Sequence, residues 1–273
     1  MLNILGVSGA HRKGTRNTVY LLEEALYAAK AFVGEANLEI LNLNECDIKY
    51  CTGCDMCIGH RKDSEILELH NCSIKDDMRW IYDKLDKQDA IIFASPVHIL
   101  GMSSRLKSFI DRLRPMVHQG RFIWKVTSAV SVAYLSIGGQ ESCSLDIFNA
   151  LHALQCIMVT FGHGATGISG PAVGGPTPWD DSGGTAVEND KWGVRSARTI
   201  GRLVAETAYV VKKGREQLGE DVKHRMVLSY HKMPKLPGRP ANAEPIERSK
   251  RPSQLPGAVR LPASQYPAIR VKE

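Results

Sequence analysis

What most restricts this chain is a regular alternation: five short apolar runs, each followed by a stretch with helical spacing. Residues 2–7 form the first run, and after a polar loop residues 18–33 carry Leu22, Ala25, Leu26, Ala29 and Val33 on one helical face. Residues 38–43 predict a second strand and 76–85 a second helix. Residues 90–94 are apolar throughout, as a strand covered on both faces must be. Ser103 or Ser104 can cap a third helix in which Leu106, Phe109, Ile110 and Leu113 recur at i, i+3, i+4 and i+7, with Pro115 just beyond its end. Residues 126–135, 144–154, 157–161 and 194–218 continue as strand, helix, strand and helix. Parallel neighbours need a crossover connection, and a helix follows every strand, so the expected fold is α/β with a doubly wound parallel sheet of five strands.

The chain's 273 residues can bury a proper core, and 43% hydrophobic with 23% charged residues exclude general disorder. The longest uncharged stretch, 147–179, is broken by Asn149, His152, Gln155 and repeated Gly and Pro, so it predicts no membrane-spanning helix. Residues 1–7 are too short for a secretory apolar region, which makes the cytoplasm the expected location. The net charge of +6 is unevenly placed: residues 231–273 carry nine Lys or Arg against three Glu, leaving the body neutral. Eight of the thirteen prolines also lie there. The expected organisation is therefore a domain over 1–220 with a Gly/Pro-rich insertion at 162–193, followed by an extended basic tail over 221–273. The tail lacks dense cationic runs and has one aromatic, Tyr266, so a strap over a neighbouring subunit or a solvated linker fits it better than a nucleic-acid arm.

In an open parallel sheet, ligands bind beyond the carboxyl ends of the strands. The loop 8–18 sits at that edge and concentrates hydroxyls, cations and an amide before a helix N-terminus, as a phosphate requires. Gly9 and Gly14 have P-loop spacing, but Thr15 and Arg16 stand where Lys and Ser/Thr belong, and Gly-x-Gly-x-x-Gly is absent. Loops 94–104 and 136–142 combine small residues with backbone donors, which suits a planar ring lying against the chain. Four of seven cysteines, Cys51, Cys54, Cys57 and Cys72, crowd one segment. Cys-x2-Cys-x2-Cys is a compact thiolate cradle, better suited to an iron–sulfur cluster than to paired zinc knuckles. Fourteen residues separate Cys57 from Cys72, a length that loop-closure cost permits. Zinc, free thiols and a Cys54/Cys57 redox pair are the alternatives. His11, His60, His70, His118 and His163 read as incidental loop or surface residues.

As an ordered set, Ser8 to Thr18, Cys51-Thr-Gly-Cys-Asp-Met-Cys57, Cys72-Ser-Ile-Lys-Asp-Asp-Met78, Ser95-Pro-Val-His98 and Lys107-Ser-Phe-Ile-Asp-Arg112 resemble one family. It is the flavodoxin-like NADPH-dependent FMN reductase family, in the branch of multimeric quinone reductases and iron–sulfur flavoproteins. The resemblance covers residue 2 to about residue 154. It implies strand order 2-1-3-4-5 and an FMN phosphate held by Ser8, Arg12, Asn17 and Thr18, with Thr15 assisting. Ser95, Pro96, Val97 and His98 on one side and Ser136, Ile137, Gly138 and Gly139 on the other would flank the isoalloxazine. The family usually has Tyr where His98 stands. The helix with Lys107, Asp111 and Arg112 is expected to be structural and interfacial, and no side chain is assigned as catalytic because the flavin carries the chemistry. The implied function is NAD(P)H-driven reduction of a quinone, flavin or protein acceptor. The alternatives are an iron–sulfur flavoprotein exchanging electrons with ferredoxin, its [4Fe–4S] cluster on Cys51, Cys54, Cys57 and Cys72, and a non-catalytic flavin- or nucleic-acid-binding module. A homodimer or homotetramer is expected, with the insertion and tail as oligomer elements because Trp179 and Trp192 carry large apolar surfaces. Membrane insertion and nucleic-acid binding are not expected.

Overall fold

The strands alternate their side chains between two helical layers, and that alternation sets the architecture. The structure, a computed structural model, describes residues 1–14, 16–57, 72–162, 164–168 and 185–219. Thr15, Trp179, most of the insertion and the basic tail lie outside the described residues. Everything described belongs to one compact unit, Met1–Met233. Strands β1 (Leu2–Ser8), β2 (Ala36–Asn42), β3 (Ala90–His98), β5 (Val126–Ala133) and β6 (Ile157–Met158) lie in the order β2-β1-β3-β5-β6, all parallel. This is the flavodoxin-like order, with its switch point between β1 and β3. A two-residue β4 (Gly101–Met102) turns back on β3 antiparallel, and β7 (Ala165–Ile168) pairs with β5.

Leu2, Ile4, Ile92 and Ala94 face one core with helices α1 (Asn17–Val33) and α6 (Lys191–Glu216). Leu5, Val7, Ile91 and Phe93 face the other, with α2 (Met78–Asp86), α3 (Ser104–Asp111) and α5 (Gln140–Ala153). The α1 and α6 backbones touch at Gly201, where a Cβ would overlap the carbonyl of Ala25.

Three expectations need correction. The fifth strand is not continuous over 157–161: only Ile157–Met158 pairs with the lower half of β5. The chain turns at Gly162, which has φ +61°, and returns as β7 on the upper half of β5, with Val130 opposite Ala165. Together with β4, this gives seven strands among the described residues in place of five, and the insertion is not wholly loop. Gly164 is obligatory at this return, since it combines φ +98° with a Cβ position 2.9 Å from the Ala129 carbonyl. Second, Pro115 does not merely end a helix. It occupies the first turn of α4 (Arg114–His118), where its missing N–H costs nothing. Third, Arg112 is not interfacial, for it is 2% exposed within the chain.

Candidate functional site

The carboxyl ends of β1, β3 and β5 deliver three loops to one edge, and short hydrogen bonds lock them together. Ser8 closes β1 as a buried hydroxyl accepting from the Ala10 amide at 3.3 Å. Gly9 donates to the Ala94 carbonyl at 2.8 Å and accepts from Ser103 Oγ at 2.7 Å. A Cβ at Gly9 would lie 2.7 Å from that of Leu106, so glycine is required for this approach. Ser103 also caps α3, accepting from the Leu106 amide at 3.2 Å, as the sequence predicts.

Arg16 precedes α1, and among the described residues no side chain caps its first turn and no acidic residue lies there. Thr18 is buried there, and Asn17 uses Oδ1 to accept from the Val187 amide at 3.0 Å. Arg12 is exposed, and its carbonyl accepts from Asn44 Nδ2 at 2.6 Å.

Ser95, Pro96, Val97 and His98 run from β3 into a hairpin whose turn residues, Ile99 and Leu100, have φ +47° and +62°. Positive φ at a β-branched residue is strained, and Ile99 is 99% exposed, so no burial of its own compensates. Leu100 packs where Gly139, at φ +90°, has no Cβ, which joins this hairpin to the loop Ser136, Ile137, Gly138 and Gly139. Gln140, which sequence reasoning misses, organises that loop. Its Nε2 donates to the Leu135 carbonyl at 2.8 Å and its Oε1 accepts from the Gly138 amide at 3.1 Å. The one signal that could have found it is its place directly after Gly138 and Gly139.

His11 also belongs here, although the sequence suggests an incidental loop residue. Its ring lies 4.9 Å from that of His98, and its Nε2 is 3.5 Å from Ser104 Oγ. Burial, then His98 and Arg105, depress its pKa. His11, Ile48, Ser104, Arg105 and Ser108 line a cavity of about 180 Å³ beside the loop that follows β1.

The chain entering the cysteine segment is tied to the same edge through Asn44 and Arg12. Cys51, Cys57 and Cys72 are half-buried and Cys54 is exposed. All seven cysteines are free thiols. Cys54 Sγ lies 3.1 Å from Ser73 Oγ, which brings it beside Cys72, and this hydrogen bond is the main cause of its lowered pKa. Burial raises the Cys57 thiol against the pull of Arg114, with Cys72 and Cys51 within electrostatic range. Among the described residues no three His, Cys, Asp or Glu side chains are disposed to hold a metal ion as they stand. The donor set still suits a cluster in kind. Four thiols share one locality, and Arg112 Nε, buried and without a hydrogen-bond partner, lies in electrostatic range of Cys72, as an anionic centre would require.

Among the described residues no helix is long and apolar enough to cross a membrane. The sequence profile of the NADPH-dependent FMN reductase family matches residues 2–167. An iron–sulfur flavoprotein of Methanocaldococcus jannaschii is 32% identical over 219 residues, covering 78% of this chain and all of that one. An iron–sulfur flavoprotein of Archaeoglobus fulgidus is 28% identical over 221 residues, covering 79% of this chain and all of its own length. Among solved structures, RosB with a bound 8-demethyl-8-formylriboflavin-5'-phosphate intermediate superposes with a TM-score of 0.59 at 15% identity, covering 96% of this chain and 100% of RosB. A flavone reductase superposes at 0.52 and 22% identity, covering 77% of this chain and 64% of its own. At these identities the two structures bear on the fold alone.

Proposed function

This chain belongs to the NADPH-dependent FMN reductase family, and from that premise we propose that it is an FMN-dependent electron-transfer oxidoreductase whose four crowded thiols hold an iron–sulfur cluster. Flavin-dependent oxidoreduction is the chemistry of the family. The observation that carries the finer reading is the convergence of the cysteine segment and the three loops on one sheet edge, linked by the hydrogen bond of Asn44 to Arg12.

Ser8, Arg12, Asn17 and Thr18, with the uncapped start of α1, would hold the FMN phosphate, while Ser95 to His98 and Ser136 to Gly139 would border the ring. Cys51, Cys54, Cys57 and Cys72 would ligate the cluster. FMN, when bound, accepts electrons in pairs and releases them singly. The protein's part is to hold the phosphate, fix the ring between two rigid loops and keep a one-electron centre nearby. Gln140 and Ser103 supply that rigidity, Gln140 by closing its own loop and Ser103 by tying the start of α3 to Gly9. The names of the two relatives support the iron–sulfur reading. The family profile supports a second, NAD(P)H-driven reduction of a quinone, flavin or protein acceptor.

Anaerobic turnover separates the two. The first reading expects electron exchange with reduced ferredoxin that Cys54→Ala abolishes without loss of FMN. Rapid NADH or NADPH oxidation with a quinone, indifferent to Cys54→Ala, would favour the second. Free thiols suit a reducing compartment, the cytoplasm in this reading. The partner we propose is a second copy of the chain. Ile99, Ile137 and Trp192 leave 99%, 78% and 76% of their surfaces exposed, which a subunit contact would cover. Light scattering that reports a monomer with FMN bound would remove that partner.

A further inference from the structure

One guanidinium holds both arms of the chain that bears the thiols. Arg112, at the end of α3, has a side chain 1% exposed and forms a bidentate pair with Asp76, whose side chain is fully buried. Nη1 to Oδ2 is 2.6 Å and Nη2 to Oδ1 is 2.9 Å. Nη1 also donates to the Lys49 carbonyl at 2.7 Å, two residues before Cys51. Asp76, four residues after Cys72, accepts from the Lys49 amide at 3.0 Å. The neighbouring residues continue the closure: the Asp47 amide donates to Asp77 Oδ2 at 2.7 Å, and the Asp77 amide to the Asp47 carbonyl at 3.1 Å. Tyr82 fixes the arginine's own backbone, donating its hydroxyl to the Arg112 carbonyl at 2.6 Å.

We propose that the Arg112–Asp76 pair is the positioning device of the thiol site, closing the chain before Cys51 onto the chain after Cys72 so that the four thiols share one locality from which a cluster can gather them. The inference rests on reading these cysteines as a ligand set. It accounts for how Cys72 serves that set although fourteen residues separate it from Cys57. Once residues 47–49 and 76–77 are zipped, the length of chain between Cys57 and Cys72 no longer governs where Cys72 stands, and only the short arms do. Lysine cannot substitute here, because a single ammonium lacks the planar fork that grips the carboxylate bidentately while also donating to the Lys49 carbonyl. Arg114, on α4, adds a second and exposed tether, pairing with Asp55 between Cys54 and Cys57 at 2.9 Å.

The test compares the FMN-loaded wild type with Arg112→Lys and with the double variant Arg112→Met/Asp76→Leu. The double variant removes both charges and so leaves neither buried alone. Three quantities are read: FMN per chain, iron and acid-labile sulfide after anaerobic purification, and, after chelation of iron, the affinity for Cd²⁺ followed by thiolate absorbance. The expected result is unchanged FMN content in both variants, iron and sulfide at less than a quarter of the wild-type level, and Cd²⁺ affinity lowered at least tenfold. Should the double variant lose FMN as well, Arg112→Lys decides. Unchanged Cd²⁺ affinity in a variant that retains FMN overturns the proposal. A wild type without iron, but with the Cd²⁺ difference intact, would overturn the cluster reading and leave the clamp standing.

Discussion

Two glycines of the same helix should answer the same substitution with opposite signs. Gly214 lies exposed near the end of α6, with no atom within 4 Å of the place a methyl would take apart from its chain neighbours and its own helix backbone, whereas Gly201 is buried against the Ala25 carbonyl. Replacing helical Gly by Ala stabilises by about 0.5 to 1 kcal/mol through the unfolded chain's lost freedom. Gly214→Ala should gain the lower end of that range, because it sits in the last turn. Gly201→Ala gains the same term but drives a methyl into backbone that has no rotamer by which to yield. Overpacking typically costs about 1–3 kcal/mol, and the upper end applies here, so the net loss should be about 2 to 2.5 kcal/mol. For a domain of this size that is a fall in Tm of roughly 4 to 10 °C. Urea unfolding of both variants at one fixed FMN concentration measures this, since bound flavin itself stabilises the native state. If Gly201→Ala matched Gly214→Ala in sign, α1 and α6 would not be in backbone contact and the reasoning would be refuted.

Three further outcomes are expected. Burial pushes the Asp76 carboxyl up, but hydrogen bonds from Arg112 and from the Lys49 and Met78 amides outweigh it and hold the group below its ordinary 3.8. Its stabilisation is therefore complete above that value and lost as pH falls below it. Asp76→Asn should flatten this acid limb in urea titrations and, by orphaning a buried arginine, cost about 3 kcal/mol or more at neutral pH. In timed alkylation of iron-free protein read by mass spectrometry, exposed Cys54 should react first, and Cys143, buried and pushed up to about 12, last. Arg12→Ala should weaken FMN binding by roughly ten- to a hundredfold, as for a lost charge-assisted hydrogen bond, and an unchanged dissociation constant by fluorescence titration would remove Arg12 from the site.

The parallel strands were legible because strands between helices must be apolar on both faces, and Ile91 and Phe93 against Ile92 and Ala94 read that way from sequence, whereas their order came only from the family resemblance. Ser103 was legible as a cap because its hydroxyl precedes a strong apolar periodicity. The split of the last sheet position between β6 and β7 was not, since it depends on what Gly164 meets in space. Nor was the Ile99–Leu100 turn, which lacks the Asn or Gly that usually announces positive φ. Arg112 was hidden for a more general reason. An arginine beside an aspartate at a helix end reads as surface, and its true partner, Asp76, stands 36 residues away. The same distance concealed the tie between the chain before Cys51 and the chain after Cys72.

The central claim is that flavin and cluster occur together in one chain, and the composition of anaerobically purified protein tests it most directly. FMN, iron and acid-labile sulfide are determined with the absorption spectrum, for the wild type and for Cys54→Ala. The prediction is about one FMN and about four each of iron and sulfide per chain, with iron and sulfide lost and FMN retained in Cys54→Ala. FMN present with neither iron nor sulfide, even after anaerobic reconstitution, would contradict it.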